Sequence, residues 1–225
     1  MRSSGSVPRR PMRNRVEAAA CALLAAAAAL EISCFCLAVA AAQPVGGAPS
    51  PEAVEVRDEP SEEPPLYLQT DERWGGLPYA GADLATAGCG LTCAAMAWEH
   101  LSGDECTPAM LLDAVGDSFV QEGQNYMPGF CEWMGRQDPT LDYTVIYESR
   151  ERALAEAADG RMVFGSMSGR LYENGTEYGG HIVLINGFTD GLVTVNDPCT
   201  PQKVRLSRDD FDAVTWRYFI SIGRN

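Results

Sequence analysis

Cys89 stands between two glycines, Gly88-Cys89-Gly90, where a small-residue stretch gives way to an apolar periodic segment. A thiol in the first turn of a helix faces the positive end of the helix dipole, which favours the nucleophilic thiolate. Glycine neighbours leave room for a substrate backbone. Thiolate attack on a carbonyl also needs a base that takes a proton and returns it to the leaving group. The chain has two histidines. His100 falls late in the segment after Cys89, beside Glu99, and reads as a solvated helix-end residue. His181 follows Gly179-Gly180 and opens the apolar run His181–Phe188. Glycines there suit a close approach of another backbone or a ligand. Asp197 ends the run Leu192–Asn196 and precedes Pro198. If the two runs pair across Thr189-Asp190-Gly191, Asp197 falls near Ile182 or His181, within reach of the imidazole. Gln69 adds an amide N–H able to stabilise an oxyanion. Each residue has a plainer reading: Cys89 as half a disulfide, His181 as a structural strand-end residue, Asp-Pro as a turn, Gln69 as surface.

The elements that must position these residues follow from periodicity. Leu91, Ala94, Ala95, Trp98 and Leu101 recur at three- and four-residue steps, so a helix is expected from Cys89 or Gly90 to Leu101, ended by Gly103. Thr107-Pro108 opens a second helix through Val115, and 128–136 suggests a third. Leu66–Gln69 reads as extended and Asp83–Gly88 as a loop. Strands are expected at Tyr143–Tyr147, Met162–Met167, His181–Phe188, Leu192–Asn196 and Trp216–Ile222. Helices at 149–158 and 209–213 complete the pattern. Helices first and a mostly antiparallel sheet second indicate an α+β fold.

The pattern Gln69-x-Asp71-x-x-Trp74, Tyr79, Gly88-Cys89-Gly90-Leu-Thr-x-Ala-Ala-Met96, Gly180-His181 and Asn196-Asp197-Pro198 resembles the C39-like cysteine peptidases. These are papain-like domains related to the bacteriocin leader peptidases, and the resemblance spans 66–222. It implies a papain-like fold, a nucleophile at Cys89, a base at His181, an orienting acid at Asp197 and an oxyanion donor at Gln69, with no cofactor. Leu91 stands where the family often has proline. No transporter segment follows the domain, so the double-glycine leader specificity of transporter-fused relatives is not carried over.

Composition frames this reading. The net charge of −14 argues against a nucleic-acid partner, which needs a basic face. Five arginines precede the Ala-rich run 16–42, which ends Ala-Val-Ala-Ala-Ala. That reads as a secretory signal cleaved after Ala42, or as a retained membrane anchor, and places the domain outside the cytoplasm. Residues 43–65 read as an acidic, Pro-rich flexible linker, leaving 66–225 as the peptidase domain. The domain carries Cys89, Cys93, Cys106, Cys131 and Cys199. An odd count in an oxidising compartment suggests one free thiol and two disulfides, with five free thiols the alternative. No C-x-x-C occurs, so structural zinc is not expected. The expected activity is hydrolysis of peptide or amide bonds by a monomer, with cell-wall peptides among the candidate substrates. Acyl or peptidyl transfer uses the same intermediate, and an inactive domain binding peptide or wall material is the non-enzymatic alternative.

Overall fold

A computed structural model of the chain describes residues 63–225. The expected signal and all but the last three residues of the expected linker lie outside the described residues. Those three already touch the domain. Glu63 forms an ion pair with Lys203, and the Pro65 carbonyl accepts a hydrogen bond from Asn196 Nδ2 at 2.9 Å.

The first half holds a two-stranded hairpin of β1 (Pro78–Tyr79) and β2 (Ala82–Asp83), then α1 (Leu84–Ala87), α2 (Cys89–Ser102) and α3 (Pro108–Val115). A second hairpin, β3 (Val120–Gln121) and β4 (Gln124–Asn125), leads into α4 (Met127–Gln137). The second half contains β5 (Leu141–Ile146), α5 (Arg150–Ala158), β6 (Met162–Arg170), β7 (Glu177–Thr189), β8 (Leu192–Asn196), β9 (Val204–Ser207), α6 (Arg208–Ala213) and β10 (Thr215–Arg224). Its six strands form one antiparallel sheet in the order β5-β10-β6-β7-β8-β9.

The sheet is covered on both faces. Leu91, Met96 and Leu101 of α2 pack with Phe130 of α4 and with Phe164, Ile182, Leu184 and Ile220 of the sheet. On the other face Leu154 of α5 and Phe211 of α6 pack with Val163, Val183, Ile185 and Phe219. Strand alternation sorts these residues between the two cores. Full burial of a side chain such as Leu91 contributes about 1.5–3 kcal/mol. The helix that carries Cys89 is therefore bolted to the strand that carries His181.

Local chemistry explains the boundaries. Gly103 takes φ 77° and ends α2, with its N–H on the Glu99 carbonyl. Thr107 caps α3 through Met110 N–H, with Pro108 as its first residue. Asp190 and Gly191 both take positive φ, so a two-residue turn sets the register of β7 against β8.

Some expectations are corrected. The stretch 83–88 is not wholly a loop, because Asp83 accepts the Thr86 N–H at 2.8 Å and nucleates α1. Leu66–Gln69, read as extended, joins no sheet and is held by single contacts. The Trp74 indole binds the Leu68 carbonyl at 2.8 Å, and the Gln69 N–H reaches Pro198 O at 2.8 Å. Strand β7 begins at Glu177 rather than His181, and β9 and both small hairpins were not anticipated. The two-disulfide arrangement is not formed: all five described cysteines are free thiols. Cys93 and Cys131 are packed in the core among apolar neighbours, and Cys93 Sγ donates to the Ile182 carbonyl at 3.4 Å.

Candidate active site

Cys89 is the first residue of α2, and the preceding Gly88 offers no side-chain cap. The first-turn amides of the helix thus lie beside the thiol, as a developing oxyanion requires. The flanking glycines serve the protein's own packing. A Cβ on Gly88 would sit 2.5 Å from the Leu84 carbonyl oxygen, and one on Gly90 would sit 2.4 Å from Asn125 Cβ. The expectation that they make room for substrate is corrected accordingly.

Asn125 explains the crowding at Gly90. Its Oδ1 accepts from Tyr79 Oη at 2.8 Å and from the Leu91 N–H at 3.2 Å. Its Nδ2 donates to the Ala87 carbonyl at 2.9 Å and points at Cys89 Sγ from 3.7 Å. One amide therefore ties the β3–β4 hairpin to the end of α1, the start of α2 and the thiol.

His181 is buried, and its Nε2 lies 2.8 Å from Asp197 Oδ1. That bond leaves the other ring nitrogen, Nδ1, available to Cys89, which lines the same cavity. Tyr178 stacks on the imidazole, with centroids 3.9 Å apart and planes at 11°. Burial alone would push the imidazole down. The hydrogen bonds to Asp197 and Cys89, with the charges of both groups, overcome it and raise its pKa to about 9.

The last paired residues of β7 and β8 are Leu184 and Asn196, so Asp197 lies beyond the ladder and not opposite Ile182 or His181. Its side chain closes the gap. The turn after it wraps the carboxylate: Cys199 N–H donates to Oδ1 at 2.9 Å and Thr200 Oγ1 to Oδ2 at 3.0 Å. Burial works to raise this carboxyl, but the His181, Cys199 and Thr200 bonds hold it below the ordinary carboxylate range.

Gln69 is buried behind this group. Its backbone docks on Pro198, its Nε2 donates to the Ala85 carbonyl at 2.7 Å, and its Oε1 has no hydrogen-bond partner. It spans the Asp197 turn and the segment leading to Cys89. It is not among the residues lining the cavity of about 620 Å³ onto which Cys89 and His181 open.

His181, Asp197 and Cys199 each offer a ligand atom within 4.8 Å of the others. The His181 and Asp197 atoms are already joined as an acid–base pair, the arrangement that moves a proton. His100 lies in the last turn of α2, away from Cys89. Three contributors escaped the sequence reading. No local motif marks Asn125, Tyr178 or Thr200 for the site.

A thiol at a helix start, an imidazole against it and a buried carboxylate behind the imidazole occupy the span 62–222, which matches the Peptidase_C39 like family. The chain belongs to that family. Its fold is also seen in a Bacillus anthracis protein described as a C39-like peptidase, at 17% identity and TM-score 0.51, covering 73% of this chain and 96% of that one. Two weaker likenesses are a double-glycine motif protease of an AMS/PCAT transporter, solved with its leader peptide, and the peptidase domain of Streptococcus ComA. The first has 12% identity and TM-score 0.45, over 73% of this chain and 94% of that one. The second has 16% and 0.42, over 62% and 93%. No curated protein matches the chain. The C39-like domain thus has the fold of a cysteine peptidase. No helix among the described residues is long and apolar enough to cross a membrane.

Proposed function

We propose that this C39-like domain is an active cysteine peptidase that hydrolyses peptide or amide bonds through Cys89, His181 and Asp197. The observation that carries the reading is the 2.8 Å bond between His181 Nε2 and Asp197 Oδ1, with Cys89 and His181 opening onto one cavity. With Asp197 behind it, His181 is oriented to hold the Cys89 proton as an imidazolium. The thiolate attacks the carbonyl carbon, forming the S–C bond while the C=O electrons move to oxygen. The Cys89 backbone N–H holds that oxyanion, and Gln69, buried with one Nε2 hydrogen on the Ala85 carbonyl, is the proposed second donor through its other Nε2 hydrogen. His181 then gives its proton to the leaving nitrogen as the C–N bond breaks. Water, deprotonated by His181, releases the acyl group from sulfur. Tyr178 shields the imidazole, and Asn125 fixes the thiol's position.

A free Cys89 thiol favours the enzyme over an inactive binding domain of the same fold in which Cys89 is disulfide-bonded. The Arg-rich start and apolar run at 16–42 support export of the domain, free or membrane-anchored. A mixed peptide pool incubated with wild type and Cys89→Ala, and read by mass spectrometry, tests the reading. New termini with wild type alone support it, and identical pools reject it. Products extended by an added amine would identify transfer in place of hydrolysis.

A further inference from the structure

The cavity in front of Cys89 is a neutral-to-positive hollow in an acidic protein. The chain has 31 acidic residues against 17 Lys and Arg, yet no aspartate or glutamate lines this cavity. Its polar wall is Thr86, Gln124, Asn125 and Ser166, with His181 and Arg217 as its cationic groups.

Arg217 is there because of a defect in the sheet. Trp216 pairs with Met167 and Tyr218 with Ser166, so Arg217 is an extra residue with no partner on β6. Without this bulge, Trp216 and Tyr218 would lie on the same face. Instead Trp216 packs in the core under α5 and α6, and Tyr218 in the core under α2. The inserted residue lets Arg217 and Tyr218, adjacent in sequence, both line the cavity. The guanidinium is anchored, since one Nη donates to the Gly179 carbonyl at 2.6 Å. A Cβ on Gly180 would lie 3.2 Å from the other Nη, so the glycine before His181 keeps that space open. Among the described residues Arg217 has no ion pair, and its side chain is exposed.

We propose that Arg217 is a specificity residue that receives a carboxylate of the peptide substrate beside the bond to be cut. The inference rests on the peptidase reading of Cys89 and His181. A guanidinium with free N–H donors at an open cavity is suited to bidentate carboxylate binding. An acidic protein repels anionic peptides at long range, so a local cation at the site selects them at contact. The carboxylate belongs either to an acidic side chain or to a free peptide C-terminus.

The test compares two alkylating reagents of nearly equal size, iodoacetate and iodoacetamide. Each forms a bond between Cys89 Sγ and carbon and releases iodide. Modification at Cys89 is followed by peptide mapping in wild type, Arg217→Gln and Arg217→Lys. The expected result is that the iodoacetate-to-iodoacetamide rate ratio falls about three- to fivefold in Arg217→Gln and returns toward wild type in Arg217→Lys. An unchanged ratio in Arg217→Gln overturns the inference. A Cys89 inert to both reagents in wild type removes the nucleophile reading itself, and this inference with it. Protection of Cys89 by alanine peptides then locates the carboxylate. A free-acid peptide protecting better than its amide indicates a C-terminus, and a glutamate-containing amide protecting better than its glutamine twin indicates a side chain. Equal protection by all four contradicts the proposal.

Discussion

Replacing Asp197 by asparagine keeps the shape of the side chain and removes its charge. The pKa of His181 is raised from 6.5 to about 9 although burial, the largest single influence on it, pushes the other way. At 1.36 kcal/mol per pH unit, that net rise is a preference of about 3 kcal/mol for the imidazolium. With the charge gone the burial cost remains, so the His181 midpoint falls by about 1–3 pH units. The assay is a histidine Cε1–H titration by NMR. The chain has only two histidines, and a His100→Gln variant assigns them. A wild-type His181 that titrates at or below 6.5, or a midpoint that does not move in Asp197→Asn, refutes the reasoning. Linkage gives a second readout. The His181 pKa is raised in the folded state, so its stabilising effect is complete below pH 6.5 and is lost as pH rises through about 9. The Asp197 pKa is lowered, so the same bond stabilises above pH 3.8 and is lost as pH falls through the lowered value. The bond counts once. The stability gap between wild type and Asp197→Asn is therefore widest between these limits and narrows as pH rises through about 9 to the part held by the Cys199 and Thr200 bonds.

Three further outcomes are expected. Gln69→Ala lowers kcat about 10²–10³-fold if its amide holds the oxyanion, and a loss smaller than tenfold in peptide hydrolysis assigns it a purely structural part. Gly90→Ala drives a methyl group into Asn125 Cβ at 2.4 Å and Met127 Sδ at 2.7 Å, so thermal denaturation should show a loss of about 1–3 kcal/mol. Tyr178→Phe keeps the stacked ring and should leave the His181 titration close to wild type. Tyr178→Ala exposes the imidazole, and the same NMR titration should then show His181 joined to Asp197 by a weaker, better-hydrated bond and a changed midpoint.

The parts of this fold legible in the sequence are those that local rules decide. Gly103, Thr107-Pro108 and Asp190-Gly191 each fix an end or a turn by backbone chemistry alone, and α2, α3 and the β7–β8 hairpin fall where such signals put them. Cys89, His181 and Asp197 stood out because unusual neighbours surround them. What escaped depends on distant partners. β9 is only four residues long, and it exists because β8 offers it an edge. Asn125 acquires its place only when the β3–β4 hairpin folds onto the start of α2. The role of Arg217 depends on a bulge that β6 and β10 define together. The cysteine count suggested disulfides, but counting ignores position: Cys93 and Cys131 are enclosed by apolar neighbours.

The account turns on whether His181 activates Cys89, and the alkylation of that thiol measures this most directly. Burial pushes the Cys106 and Cys199 thiols up to about 11, and Cys93 and Cys131 higher still, so at pH 6 a limiting amount of iodoacetamide should reach Cys89 first. The rate at Cys89 in folded wild type should exceed that in folded His181→Ala by about tenfold or more. Equal rates in the two proteins would mean that the imidazole does nothing for the sulfur, and the peptidase mechanism would be wrong.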